Sequence, residues 1–192
     1  ILAGPNGSGK TTLLKALCHL IPRNGLVEST FLGYLPQSPE FLFLTKTVQD
    51  EVAYGGRYGV DNMLQLLKLM DIAASHPFSI SHGQKRRVAI AAMLCDGREV
   101  ILMDEPTSGQ DAAALSELYQ LIDERAHDGT TFLIVTHDME FAYCLADSII
   151  LMEDGSLTGK FPALAVWENE KLLLEHHLLP PKGLMQCEKS FA

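Results

Sequence analysis

The chain has 192 residues, 47% of them hydrophobic, and a formal net charge of −9. That length and apolar content fill one substantial core and leave little room for a second full domain. The acidic balance argues against the broad basic face through which a protein grips nucleic acid. No apolar run reaches the roughly eighteen residues needed to span a bilayer, so the expectation is a soluble protein that meets a membrane only through a partner.

The chain opens on Ile1-Leu2-Ala3 and passes at once into Gly4-Pro5-Asn6-Gly7-Ser8-Gly9-Lys10-Thr11-Thr12, which fits the pattern G-x-x-x-x-G-K-[ST]. Glycines let the backbone curl until several N–H groups point at one anion, and the helix that follows adds its positive N-terminal end. In such a cradle Lys10 reaches the β- and γ-phosphates and Thr11 offers its hydroxyl to Mg²⁺. The motif needs a strand before it, and three residues supply only a strand's end, so the expectation is a chain missing its beginning.

Leu13, Leu14, Leu17 and Leu20 predict a helix over 12–20, stopped by Pro22 and Gly25. A short strand is expected over 31–35, followed by Gln37, and then the apolar run Phe41-Leu42-Phe43-Leu44. Thr47 with Asp50 resembles a helix start, with the helix ending at Gly55 and Gly56; Asp61 is expected to cap a second helix through Leu64, Leu67 and Met70. No strand is expected between Gln37 and Asp96, which makes this stretch an inserted helical lobe. Ser81-His82-Gly83-Gln84 feeds a helix over 85–94, whose opening run Lys85-Arg86-Arg87 reads as a solvated face.

The apolar run 100–103 is a buried strand delivering Asp104 and Glu105 at its carboxyl end, where ligands bind in open α/β sheets. Asp104 is placed to take a metal ion, and Glu105 to polarise an attacking water. Asp111 caps a helix with Leu115, Leu118 and Ile122 on one face. A strand over 132–135 ends at Thr136-His137-Asp138, a helix spans 139–145, and a strand over 148–153 turns back at Asp154-Gly155. A last helix is expected over 164–177, ended by Pro180-Pro181. Cys18, Cys95, Cys144 and Cys187 are scattered and read as reduced thiols. Strands alternating with helices give an α/β fold with a mainly parallel sheet.

Gln37 after a strand, Ser81-x-Gly83-Gln84 opening a helix, Ser108-Gly109-Gln110-Asp111 beyond the acidic strand, and His137 at the next strand's end together resemble the ABC ATPase family over 4–155. The resemblance implies a P-loop NTPase, RecA-like core with an inserted helical subdomain. It implies one ABC ATPase domain over 1–192, with a core lobe of 1–37 and 97–160, a helical lobe of 38–96 and a C-terminal helical tail of 161–192. It implies ATP and Mg²⁺, with Glu105, His137 and Gln37 as catalytic residues and Thr11, Gln37 and Asp104 at the metal. Gly4 to Thr12 would hold the nucleotide of the same subunit; Ser81, Gly83 and Gln84 would meet that of a second ATPase subunit, identical or related. Asp111 would face that partner.

Inside the family, the motifs around Gln37, Thr47 and Gln84-Lys85-Arg86-Arg87 look like those of energy-coupling-factor importers of cobalt, nickel and vitamins. This resemblance implies transmembrane coupling and substrate-binding subunits as partners and a peripheral place on the cytoplasmic face of the cell membrane. Phe41 to Leu44 would line the groove for the membrane partner's helices, the competing reading being core. The acidic balance leaves no nucleic acid expected. The alternatives are a soluble ABC ATPase acting on ribosomes or DNA, an exporter ATPase subunit, or a nucleotide-dependent module without turnover. The chain departs from the family pattern where His82 stands for a glycine, where Gln110 stands for an apolar residue, and in lacking an aromatic before the phosphate loop to stack on adenine.

Overall fold

The strands are β1 (Leu2–Ala3), β2 (Leu32–Leu35), β3 (Val100–Asp104), β4 (Thr131–Val135), β5 (Ser148–Glu153) and β6 (Ser156–Pro162), of which β3 and β4 are near-continuous apolar runs, as strands buried on both faces require. The computed structural model describes residues 1–25, 27, 31–54, 56, 59–176 and 178. Within them the strands form one sheet in the order β2-β3-β4-β1-β5-β6, with every pairing parallel except β5–β6. That exception is the hairpin expected at Asp154-Gly155, where both residues have positive φ, 46° and 79°, as a two-residue turn between twisted strands requires.

The helices are α1 (Lys10–Leu17), α2 (Val48–Ala53), α3 (Val60–Leu66), α4 (His82–Cys95), α5 (Ala112–His127), α6 (Met139–Leu145), α7 (Ala163–Trp167) and α8 (Glu170–Glu175). Thr47 and Asp111 are the caps their sequences announce, accepting hydrogen bonds from the N–H groups of Asp50 and Ala114. Asp61 is not a cap: it lies in the first turn of α3, where its charge still favours the helix dipole, and Gly59 holds the cap position. Helix α1 begins two residues earlier than its apolar spacing indicates and ends at Leu17, because Cys18 leaves the helix and His19 takes φ 58°.

The single C-terminal helix expected over 164–177 is instead two, since Asn169 accepts a hydrogen bond from the Leu172 N–H and starts α8 afresh. Gly55, His177, Pro180, Pro181 and Cys187 lie outside the described residues, as does part of the interval between Leu20 and Phe31. Cys18 and Cys95 are free thiols. Cys144 is disulfide-bonded rather than reduced, because spacing along a chain does not reveal which thiols folding brings together.

Alternation along β3 divides the core. Ile101 and Met103 face a cluster with Leu35 and Ile134 of the sheet, Val52 of α2, Leu64 of α3, Val88 and Ile90 of α4 and Leu121 of α5. Leu102 faces the other side, packing with Leu2, Val135, Met152 and Leu14 of α1. The helices between β2 and β3 thus share one continuous core with a sheet face, and α4 runs from that core out to its exposed first residues Ser81 and His82. A third cluster, Ile149 and Leu151 with Val166 and Leu173, seats α7 and α8.

The apolar run at 41–44 is only partly core. Phe43 is buried and meets Phe78 edge to face at 6.0 Å, whereas Phe41 and Leu44 are exposed.

Candidate functional site

Because β4 lies between β1 and β3, the carboxyl ends of three neighbouring parallel strands open side by side. Leu2 pairs with Val135 and Asp104 with Val135 across the sheet, so the loop after β1, the Asp104-Glu105 pair and the Thr136-His137-Asp138 turn stand in a row. They border a cavity of about 670 Å³.

One wall is the phosphate loop: Asn6, Gly7, Gly9, Lys10, Thr11 and Thr12 line it. The loop packs tightly on the sheet. Gly4 has φ 151°, and a Cβ there would stand 2.0 Å from the Met152 carbonyl oxygen, so no side chain fits. Lys10, 7% exposed, turns its Nζ inward to donate to the carbonyls of Gly4 and Pro5, each at 2.8 Å. Burial lowers its pKa below the ordinary lysine value, opposed by the charges of Glu105 and Asp104. Helix α1 starts at Gly9 with neither a capping side chain nor an acidic residue in its first turn, and Ser8 Oγ is buried without a hydrogen-bond partner. Uncapped N–H groups, an unmatched hydroxyl and a buried ammonium are the donor set that a triphosphate chain takes up.

The opposite wall carries the carboxylates. Asp104 is 4% exposed, and Tyr34 donates its hydroxyl to Asp104 Oδ2 at 3.4 Å. Burial and then the Asp104 charge push the Tyr34 pKa up to about 12, so it remains a donor. Thr11 and Asp104 border the same cavity. Their hydroxyl and carboxylate oxygens suit Mg²⁺, which characteristically takes one or two protein oxygens and fills its shell with phosphate oxygens and water.

Glu105 follows with φ 53°, a conformation that costs a non-glycine residue energy and is held here by its N–H donating to the Val135 carbonyl at 2.8 Å. Its Oε2 accepts the backbone N–H of His137 at 3.2 Å, and its Oε1 stands 3.3 Å from His137 Nε2. The Oε1 contact is an ion-pair distance without hydrogen-bond geometry, and that oxygen is buried and accepts no bond. Desolvation raises the Glu105 pKa above the ordinary carboxylate range, with His137 and Lys10 opposing the rise and Asp104 adding to it.

Gln37 reaches the same cavity from the end of β2. Ser81, Gly83 and Gln84 do not: they sit at the start of α4, outside the cavity lining. Ser81 caps that helix reciprocally with Gln84, each side chain bonding the other's backbone N–H, at 3.3 and 2.9 Å. His82 and Gln110, the two departures from the motif, share one junction. A Cβ placed at Gly109 would lie 3.6 Å from His82 Cδ2, and one at Gly83 would lie 3.3 Å from Gln110 Oε1.

Several neighbours of the site were not legible as such. Thr107 and Thr136 join their hydroxyls at 2.9 Å, and the Asp138 N–H donates to Thr136 Oγ1 at 3.0 Å. Single threonines in loops carry no spacing signal. The basic run needs a correction: Lys85 lies near the Phe78 ring and Arg87 pairs with Glu117, but Arg86 is wholly buried. The turn of the helix places the middle residue of the three inward, which charge composition alone does not show.

The sheet order and the loop joining β1 to α1 define a P-loop nucleoside triphosphatase fold. A family model described as ABC transporter matches residues 1–108, and the chain belongs to that family, the ABC transporter ATP-binding proteins. Among curated relatives, the energy-coupling factor transporter ATP-binding protein EcfA2 of Methanospirillum hungatei is 33% identical over 207 aligned positions, covering 94% of this chain and 52% of that protein. The chain spans only about a third of the length of several other relatives, 32% and 34% in two cases.

Two solved structures align closely. One is cbiO1 from Clostridium perfringens, part of the ABC transporter complex cbiONQ, at 25% identity and TM-score 0.73 over 91% of this chain and 80% of that one. The other is the ATP-binding cassette MJ0796, a dimer in a post-hydrolysis state bound to ADP and Pi, at 26% identity and TM-score 0.68 over 84% of each chain.

Proposed function

We propose that this chain is an ATP-hydrolysing subunit of a membrane importer of the energy-coupling-factor type, carrying a metal ion or a vitamin, whose nucleotide site is completed by a second ATPase subunit. One observation carries the reading. The phosphate loop, Asp104, Glu105, Gln37 and His137 converge on one cavity, while the start of α4, a second helix N-terminus whose dipole favours an anion, lies outside its lining. A nucleotide between two head-to-tail subunits would touch both surfaces at once. The dimeric state of MJ0796 supports such an arrangement, and EcfA2, an energy-coupling factor transporter protein, and cbiO1, part of an ABC transporter complex, support a role beside a transporter.

In this reading the loop N–H groups and Lys10 bind the β- and γ-phosphates and fix their orientation. Mg²⁺, held through Thr11 and Asp104 with Gln37 adjacent, would offset the negative charge that develops on the phosphates. Glu105 Oε1, buried and without a bonded proton donor, takes a proton from the attacking water, and His137 holds that carboxylate and reaches toward the γ-phosphate. Ser81, Gly83 and Gln84 contact the nucleotide of the partner. The helical segment 38–96 acts as a lobe, with the exposed Phe41 and Leu44 facing the transmembrane subunit.

Among the described residues no helix is long and apolar enough to cross a membrane, so attachment to a membrane would run through that partner. The test uses the full-length protein. Glu105→Gln should bind ATP and accumulate as a dimer without turnover, while Lys10→Ala should lose ATP affinity; equal turnover in both variants and wild type would overturn the assignment. Co-purification with membrane protein supports the importer, and co-purification with RNA would favour the ribosomal alternative.

A further inference from the structure

Arg86 has a side chain with 0% exposure, the most completely buried charged group among the described residues. Its guanidinium forms no ion pair within 4.0 Å among them; instead Nη1 donates to the Ser108 carbonyl at 2.6 Å and Nη2 to the Gln37 carbonyl at 2.7 Å, while Nε is buried and unbonded. Gln37 lies 49 residues before Arg86 and Ser108 lies 22 after it, and both line the phosphate-facing cavity from different loops. Burying a charge costs several kcal/mol unless strong bonds offset it, and two short charge-assisted bonds to carbonyls are of that kind. An apolar side chain would fill the same space without that cost, so packing alone does not explain an arginine here.

We infer that Arg86 is a positioning residue that joins α4 to both loops, so that a displacement of α4 moves Gln37 and Ser108 together and brings them into register with Glu105 across the cavity. The fork geometry of guanidinium is essential: its two terminal nitrogens point at two acceptors at once, whereas a lysine ammonium is a single point donor on a flexible stem. Helix α4 is also the element that starts with Ser81 and its capping box. One rigid helix therefore carries, at its cap, the group proposed to meet the partner's nucleotide and, on its first inward turn, the tie to its own subunit's site. Closure against a partner would be transmitted to Gln37 and Ser108 without crossing a flexible segment. The inference rests on the ATP-hydrolysing reading for its effect on rate, and on the geometry alone for its effect on the loops.

The experiment compares wild type, Arg86→Lys and Arg86→Met in the full-length protein by two measurements. In hydrogen exchange without nucleotide, the amides of 37–38 and 107–110 should both exchange about tenfold faster in each variant, as expected for losing a bond to a charged donor. The phosphate loop 4–11 and the buried half of α4 should remain unchanged. In steady-state hydrolysis, Arg86→Lys should lower kcat about tenfold with KM for ATP within about twofold, because Lys10 and its loop are untouched. Unchanged exchange in either loop, or faster exchange throughout the protein, would overturn the inference, the latter by showing a merely structural role. A wild type that hydrolyses no ATP would instead sink the functional reading and leave the exchange result to decide the role of Arg86. Wild-type kcat in Arg86→Lys beside an active wild type would refute the inference alone.

Discussion

His137 meets both oxygens of Glu105: its backbone N–H donates to Oε2 at 3.2 Å, and its ring Nε2 stands 3.3 Å from Oε1 without a hydrogen bond. The carboxylate belongs to the end of β3 and the histidine to the end of β4. Their contact is a consequence of strand order, and it opposes the effect of burial on the carboxylate.

The first prediction follows from burial, the largest influence on Glu105, which raises its pKa, with His137 opposing. The acid limb of kcat/KM, which reports the free enzyme, should therefore lie above the ordinary carboxylate range, and His137→Ala should move it further up; pH–rate profiles of the two proteins check this. The same shift bears on stability. A folded-state pKa above the unfolded value means a contribution that is full below the unfolded pKa and is lost as pH rises through the folded one. Glu105→Gln, which cannot ionise, should gain thermal stability over wild type at neutral pH and lose that gain on acidification toward the ordinary carboxylate value of 4.5.

The second concerns Lys10, whose ammonium sits against the carbonyls of Gly4 and Pro5. Removing hydrogen bonds to a charged group costs about 1.5–3 kcal/mol, so Lys10→Ala should weaken ATP binding about 10- to 100-fold by titration calorimetry.

Two glycines of the same loop should respond differently to alanine. At Gly4 the new methyl would meet the Met152 carbonyl oxygen at 2.0 Å, across the β1–β5 pairing, and urea unfolding should show a loss of about 3 kcal/mol or more. At Gly7, φ is 81° and nothing lies within 4 Å, so only backbone strain of about 1–2 kcal/mol is expected.

Glu51 offers a test outside the site. It is 4% exposed, and its Oε2 accepts from the N–H groups of Leu44 and Thr45 and from the Thr45 hydroxyl. Glu51→Ala leaves those donors unmatched, at about 1–3 kcal/mol. Protease cleavage near Phe41 and Leu44 should accelerate, while ATP affinity should stay as in wild type.

Local chemistry made much of this protein readable in advance. A phosphate loop is defined by residue types at fixed offsets, so Gly4 to Thr12 is recognisable without coordinates. Helix α6 and strand β5 fall on their predicted bounds because apolar period and flanking turns agree there. Asp111 is visible as a cap because the hydrogen bond it accepts lies three residues away.

What the sequence by itself determined were features whose partners lie within a turn or a strand: the cradle, the caps, the acidic pair closing an apolar run. Tertiary structure alone decided which strand ends stand together, that Glu105 meets His137, and that Arg86 leaves the solvated face to bind carbonyls 49 and 22 residues away. The physical reason is range. Propensity, capping and periodicity act over a few residues of chain, whereas sheet order and the burial of a charge are settled by the balance of the whole core, which no short stretch encodes.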